Sequence, residues 1–246
     1  MEALLLLGAF VGLLAYFSIR GKDNPADPAL RPIKSLTDLK QRIELAVEDG
    51  TRLQVSLGAG SLLGPQSAAA FAGLTLLRQI ADTAADSDQP PLATTGDGTL
   101  MLLAQDTLRG SHRRMNIAGQ YNPLSARVTG LTPFSYAAGA IPLTLDRSIL
   151  SSALVGSFGN EAALFTAARP GDETFTVGGS DSLSTQALLF ASADAPLMGE
   201  EIYATGAYLG AGLAHKASLH AQDILRWVII FFLIIYALLP LIAGSS

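Results

Sequence analysis

Residues 52 to 81 read RLQVSLGAGSLLGPQSAAAFAGLTLLRQIA, and their order decides the fold. Leu53, Val55 and Leu57 alternate on one side of an extended run, the period of a strand. Gly58-Ala-Gly60-Ser61 interrupts it, and Gly64-Pro65 follows. Proline fits the first turn of a helix, where its missing N–H costs nothing. Phe71, Leu74, Leu77 and Ala81 then fall on one helical stripe. The order is strand, glycine loop, helix.

That order recurs. Pro91 to Thr95 leads into Gly96-Asp97-Gly98-Thr99 and a helix carrying Leu100, Leu103, Ala104 and Leu108. Ala153 to Val155 leads into Gly156-Ser-Phe-Gly159-Asn160-Glu161 and EAALFTAA. Thr174 to Val177 leads into Gly178-Gly179-Ser180-Asp181-Ser182 and LSTQALLFASA. Strands alternating with helices predict an α/β fold, Rossmann-like, with a largely parallel sheet and helices on both faces. The halves 51–118 and 150–210 share this order and form a candidate internal repeat, although residue identity between them is thin.

Between the halves the chain is punctuated by Gly and Pro. Strands are expected around Arg127–Thr129 and Ile141–Leu145, with a small-residue turn at Tyr136–Ala140. Upstream, Ser35-Leu-Thr-Asp38 matches a capping box, and Leu36, Leu39, Ile43 and Val47 predict a helix over 36–49 stopped by Gly50. Downstream, Pro196 to Leu209 reads as a helix, and Leu213 to Asp223 leads into the last apolar segment.

The two ends carry no charge over long stretches. Ala3 to Ile19 as a helix would reach about 25 Å, the short end of the spanning range. Arg20 and Lys22 follow this run and Glu2 precedes it, the reverse of a secretory signal peptide, and no small-residue cleavage site follows. Trp227 to Ala243 is more apolar, with Arg226 and Trp227 at its start and no polar face. The expected organisation is an anchor at 1–22, a proline-rich linker at 23–34, an α/β domain at 35–223 and a second membrane helix at 224–246. Arg20, Lys22, Arg31, Lys34, Lys40, Lys216 and Arg226 flank the spans on the domain side. The positive-inside rule then puts the domain in the cytoplasm and both termini across the cell membrane. The lipid bilayer is the first expected partner. The chain has no cysteine, which is compatible with that compartment without proving it.

Composition narrows the chemistry. The net charge is −5 and only 15% of residues are charged, against about 25% in an ordinary domain. Nucleic acid is therefore excluded as a general partner. The region from Asn24 to Asp223 holds 13 Lys/Arg and 19 Asp/Glu, so the shortage of charge belongs to the domain and not to the spans alone. Interface cores are depleted of charge, and self-association into a homo-oligomer is expected on that ground.

Glycine loops at strand ends are where an open parallel sheet holds ligands, and helix starts there suit phosphate. The candidate ligand residues are Gly58, Gly60, Ser61, Gly96, Asp97, Gly98, Thr99, Gly178, Gly179, Ser180 and Asp181. Tight turns and close helix–sheet packing explain the same glycines. Gly58-x-Gly60-x-x-x-Gly64 departs from the dinucleotide fingerprint, a Walker loop is absent, and no metal motif occurs, so no cofactor is implied. Ser61, Ser157 and Ser180 lack a G-x-S-x-G context, and His112, His215 and His220 give no catalytic pairing from sequence. Asp86 and Asp88, Glu200-Glu201 and the basic Ser111-His-Arg-Arg114 all read as solvated surface.

The segments SLGAGSL (56–62), ATTGDGTL (93–100), LTPFSYAAGAIP (131–142), GSFGNEAALF (156–165), GGSDSLSTQALLFASADAPLMGEE (178–201) and AQDILRW (221–227) together resemble an uncharacterised bacterial family of two-span membrane proteins, a domain of unknown function. The resemblance covers most of the chain from about residue 45. It implies membership and membrane association and carries over no catalytic residue. Three functions are then in play. The first expectation is a membrane-anchored scaffold that self-assembles through its α/β domain. The alternatives are a membrane-tethered binding domain for a small anionic ligand at the glycine loops, and a hydrolase-like enzyme, toward which the sequence leans least.

Overall fold

The computed structural model describes residues 2–23, 31–84, 87, 89–168 and 174–243. The chain divides into two units, one from residues 1–30 and 211–246 that contains two long helices and an α/β body from Arg31 to Gly210.

In the helical unit, α1 (Glu2–Asp23) and α9 (Leu213–Ala243) pack on each other, with the Phe17 ring centred 5.7 Å from His220. Among the described residues one helix, Leu213–Ile235, is long and apolar enough to cross a membrane. It starts upstream of the boundary read at residue 224, because the helix is continuous from Leu213. The described apolar stretch of α1, Phe10–Ile19, is shorter than a span.

The body is a six-stranded sheet with every neighbouring pair parallel, in the order β3-β2-β1-β4-β5-β6. The strands are β1 (Arg52–Gly58), β2 (Leu92–Thr95), β3 (Ala126–Val128), β4 (Ile149–Ser157), β5 (Phe175–Ser180) and β6 (Ala195–Leu197). The chain winds outward from β1 to β3, returns to the centre at β4, and winds outward again. This is the doubly wound order, so the expected α/β parallel sheet is present and β1–β4 is its switch point.

Two cores cover the two faces. On one, Leu53, Val55, Leu57, Ala153, Val155 and Val177 meet the apolar stripes of α2 (Lys34–Glu48), α3 (Ser67–Ala84), α4 (Gly98–Arg114) and α8 (Glu201–Tyr208). On the other, Leu154 and Phe158 meet α5 (Pro133–Thr144), α6 (Ala162–Ala167) and α7 (Leu183–Ser192) through Tyr136, Ala140, Phe165 and Leu189. Because both faces are covered, Gln54 and Ser56, which alternate with the apolar residues of β1, are buried as well.

Four local expectations need correction. The strand read at Ile141–Leu145 and the turn read at Tyr136–Ala140 are both part of α5, which ends at Thr144 with Leu145 as its C-cap. Tyr136, Ala137, Ala140 and Thr144 form its buried stripe, and packing on Phe158 and Phe165 outweighs the Pro142 interruption. The start of the helix read over 196–209 is β6, and α8 begins only at Glu201. Ser35 does not cap α2; Ile33 holds the N-cap position without a side-chain hydrogen bond, and the Ser35 hydroxyl instead donates to the Pro196 carbonyl at 2.7 Å. Gly156, Gly178 and Gly179 lie inside β4 and β5, not in loops. A side chain at Gly178 would press on Leu189, and one at Gly179 on Leu197, so these glycines admit close neighbours within the sheet.

Gln54 is buried on β1 beside Ser152 of β4, its register partner. Among the described residues neither its amide nor the Ser152 hydroxyl has a hydrogen-bond partner. An orphaned buried amide costs about 1–3 kcal/mol. Gln54→Met keeps the shape and removes that cost, so thermal unfolding of the variant should move upward by a few degrees. A fall in melting temperature would show that the amide is satisfied in solution.

Candidate functional site

The carboxyl ends of β1, β4 and β5 enclose an open cleft of about 360 Å³ lined by Gly60, Gln66, Ser157, Phe158, Glu161 and Asp181, with Pro133 and Ser182 at its edge. It sits where a doubly wound sheet places its ligand, because the connections from β1 and β4 leave in opposite directions there.

Two glycines shape the seam beneath it. Gly58 has φ +80°, and a side chain there would overlap the Ser157 carbonyl. A side chain at Gly156 would overlap the Leu57 carbonyl. The register of β1 against β4 shifts at this point, between Ser56 and Gly58. The glycines thus let the tips of β1 and β4 stay in contact through a bulge. Gly60 is also close-packed, against the Ser157 side chain. The loop from Ala59 to Gln66 runs on before α3 begins at Ser67, longer than a dinucleotide-binding turn.

Glu161 stands at the head of α6 and is 2% exposed. One carboxylate oxygen accepts the Gly159 N–H at 2.8 Å. Among the described residues its other oxygen has no hydrogen-bond donor, and no cation pairs with it. Phe158 stacks in an aromatic cluster with Phe165 and Tyr136, whose ring centroids lie 6.1 and 6.3 Å away. Tyr136 is fully buried, and its hydroxyl lies 3.3 Å from both the Thr94 hydroxyl and the Thr94 carbonyl. Burial pushes the phenol up to about 12, against the pull of its hydrogen bonds.

Ser180 ties β5 to β4. Its hydroxyl donates to the Phe158 carbonyl at 3.2 Å and accepts the Phe158 N–H at 3.2 Å. Thr185 donates to the same carbonyl at 2.8 Å, and the Gln186 amide donates to the Ser180 carbonyl at 2.8 Å. The Ser180 hydroxyl is therefore held by backbone, with the Asp181 carboxylate also 3.3 Å away, and acts as a brace. Asp181 borders the cleft. Burial first, and then the Asp181 charge, raise the Tyr203 phenol, which puts Tyr203 within electrostatic range of that carboxylate.

The structure gathers only some of the residues singled out from sequence. Gly60 and Asp181 line the cleft. Ser61 accepts the Leu63 N–H at 3.2 Å in an exposed turn. Asp97 caps α4, accepting the Leu100 N–H at 2.8 Å, with Gly98 and Thr99 in that helix's first turn. Gly96 packs against Ala59. Gly178 and Gly179 are strand interior. His112 is buried in α4 and bonded to the Leu108 carbonyl, edge-on to Tyr121. Asp86 and Asp88 fall outside the described residues, as does most of the linker at 23–34. The residues missed are Gln66, Phe158 and Glu161, while Ser157, weighed from sequence only as a nucleophile, also lines the cleft. Ser157, Phe158 and Glu161 belong to the recognised segment Gly156 to Glu161, but their place in the cleft depends on β4 lying beside β1.

Residues 2–246 match a domain of unknown function, DUF6754. The chain belongs to that family. No curated protein and no solved structure matches it. DUF6754 membership agrees with the resemblance to an uncharacterised family read from the segments above, and it assigns no activity to any residue.

Proposed function

We propose that this chain is a membrane-tethered binding domain whose α/β body takes a small ligand in the switch-point cleft. The observation that carries the reading is the cleft itself. It is concave, of ligand size, and placed at the β1–β4 divergence with a buried carboxylate in its wall. In this reading α9 anchors the chain, α1 crosses beside it, and the flanking cations keep the body on the cytoplasmic side. The test is thermal unfolding of the full chain in mild detergent with a panel of metabolites of every charge type. A ligand at about 100 times its dissociation constant should add about 2.7 kcal/mol. Ser182→Trp, which fills the cleft edge, should abolish that gain. A panel without any stabilising compound would refute the reading.

A self-assembling scaffold is the second reading, favoured by a specific surface. Leu63, Leu131, Phe134 and Leu183 are 93%, 78%, 64% and 82% exposed, and the topology puts all four on the carboxyl edge around the cleft. Exposed apolar groups gathered at one edge mark contact surfaces. Imaging of the same detergent sample separates the readings, since a scaffold gives particles of many chains.

A further inference from the structure

We infer that the ligand of the switch-point cleft is a small organic cation, an ammonium or guanidinium compound, held by Glu161 and Asp181. The inference rests on the binding reading above and reverses the sign of charge that the glycine loops suggest.

The argument starts from the loops. Those that leave the carboxyl ends of the six strands contain Asp97, Glu161, Asp181 and Glu200 and neither Lys nor Arg. Helix starts at this edge would ordinarily offer a phosphate free N–H groups and a positive dipole end. Here the chain's own acids stand at them. Asp97 caps α4. Glu161 precedes α6 and takes the Gly159 N–H. Asp181 precedes the N-cap of α7. Glu201 accepts the Met198 N–H at 3.0 Å at the head of α8. Among the described residues, an anion entering the cleft would meet two carboxylates and no cation.

Glu161 supplies the independent observation. A carboxylate removed from water is costly unless a cation or several donors satisfy it. Its one hydrogen-bond donor among the described residues is a neighbouring backbone N–H, and the 2% exposed carboxylate lines the cleft with no cation paired to it there. An N–H of a bound cation completes it with a charge-assisted hydrogen bond. Asp181 offers a second acceptor across the same space, and Phe158 and Pro133 give an apolar wall for the carbon skeleton. A metal ion fits less well. Among the described residues no group of three or more His, Asp or Glu gathers anywhere, and the cleft is far larger than an ion.

The test is calorimetric titration of the full chain in detergent with five probes: 1,4-diaminobutane, agmatine, inorganic phosphate, adenosine monophosphate and calcium chloride. Saturable binding of an amine or guanidine probe is expected. Glu161→Gln keeps an oxygen for the Gly159 N–H and so keeps the fold, but it should weaken that binding about tenfold or more, the value of one lost charge-assisted bond. Asp181→Asn, on a more exposed residue, should weaken it several-fold. Saturable binding of phosphate or the nucleotide alone would overturn the inference while leaving the cleft a ligand site. Calcium binding alone, or amine binding indifferent to both variants, would overturn it too. No saturable binding by any probe would remove both the inference and the binding reading.

Discussion

Gly156→Ala should lower the unfolding free energy by about 3 kcal/mol or more, enough to leave the α/β body unstable or insoluble. The new methyl group would overlap the Leu57 carbonyl. It has nowhere to turn, because the obstacle is backbone in the central strand pair and not the tip of a flexible side chain. Overpacking a rigid site costs about 1–3 kcal/mol and sometimes more, and here relief requires parting β1 from β4 and losing ladder hydrogen bonds. A domain has only about 5–15 kcal/mol in total. Gly58→Ala should be comparable, since it adds a left-handed backbone, φ +80°, to an overlap with Ser157. Gly98→Ala is the control. It sits in the first turn of α4 with nothing within 4 Å of the added carbon, and it should be neutral or mildly stabilising. Thermal unfolding in detergent reads all three. A Gly156→Ala protein melting within a degree of the parent would show that the β1–β4 seam yields more readily than this geometry allows.

The same seam explains what could and could not be read from the sequence. Leu53, Val55 and Leu57 give β1 by alternation alone, and the strand–helix order gives the α/β class. The glycines are a different matter. A glycine after a strand looks the same whether it turns the chain or admits a neighbour. Gly156 does the second because Leu57 lies beside it, a contact between residues about 100 positions apart. No local pattern encodes that adjacency. Glu161 is legible as the head of a helix, yet its place in the cleft wall follows from β4 running next to β1. The α5 segment PFSYAAGAIPLT failed for the opposite reason. Its residues are small and apolar nearly throughout, so neither period stands out, and Pro142 argues against the helix that tertiary packing imposes.

Tyr136→Ala should cost about 3–5 kcal/mol, the second large effect, because the ring fills the centre of the smaller core. It is fully buried, lies 5.3 Å centroid to centroid from Phe165, and supports Phe158, which lines the cleft. Removing it also strips a partner from Thr94, whose hydroxyl is 3.0 Å from that of Ser56. Tyr136→Phe keeps the ring and should cost only about 1 kcal/mol, the net value of a neutral hydrogen bond. The phenol adds a pH dependence with a definite sign. Burial raises it from 10.0 to about 12, so the folded state holds its proton more tightly than the unfolded chain does. The contribution is constant below pH 10, where both states are protonated. It is lost as pH rises from about 10 to about 12, because unfolding then releases a proton that the folded protein retains. Two units at about 1.4 kcal/mol each give a loss of up to about 3 kcal/mol. Lysines and other tyrosines titrate in the same window, so the measurement is the difference between parent and Tyr136→Phe across alkaline pH. The parent should start more stable and fall below the variant as the pH passes about 11. Parallel alkaline profiles for the two proteins would show that the Tyr136 hydroxyl reaches water.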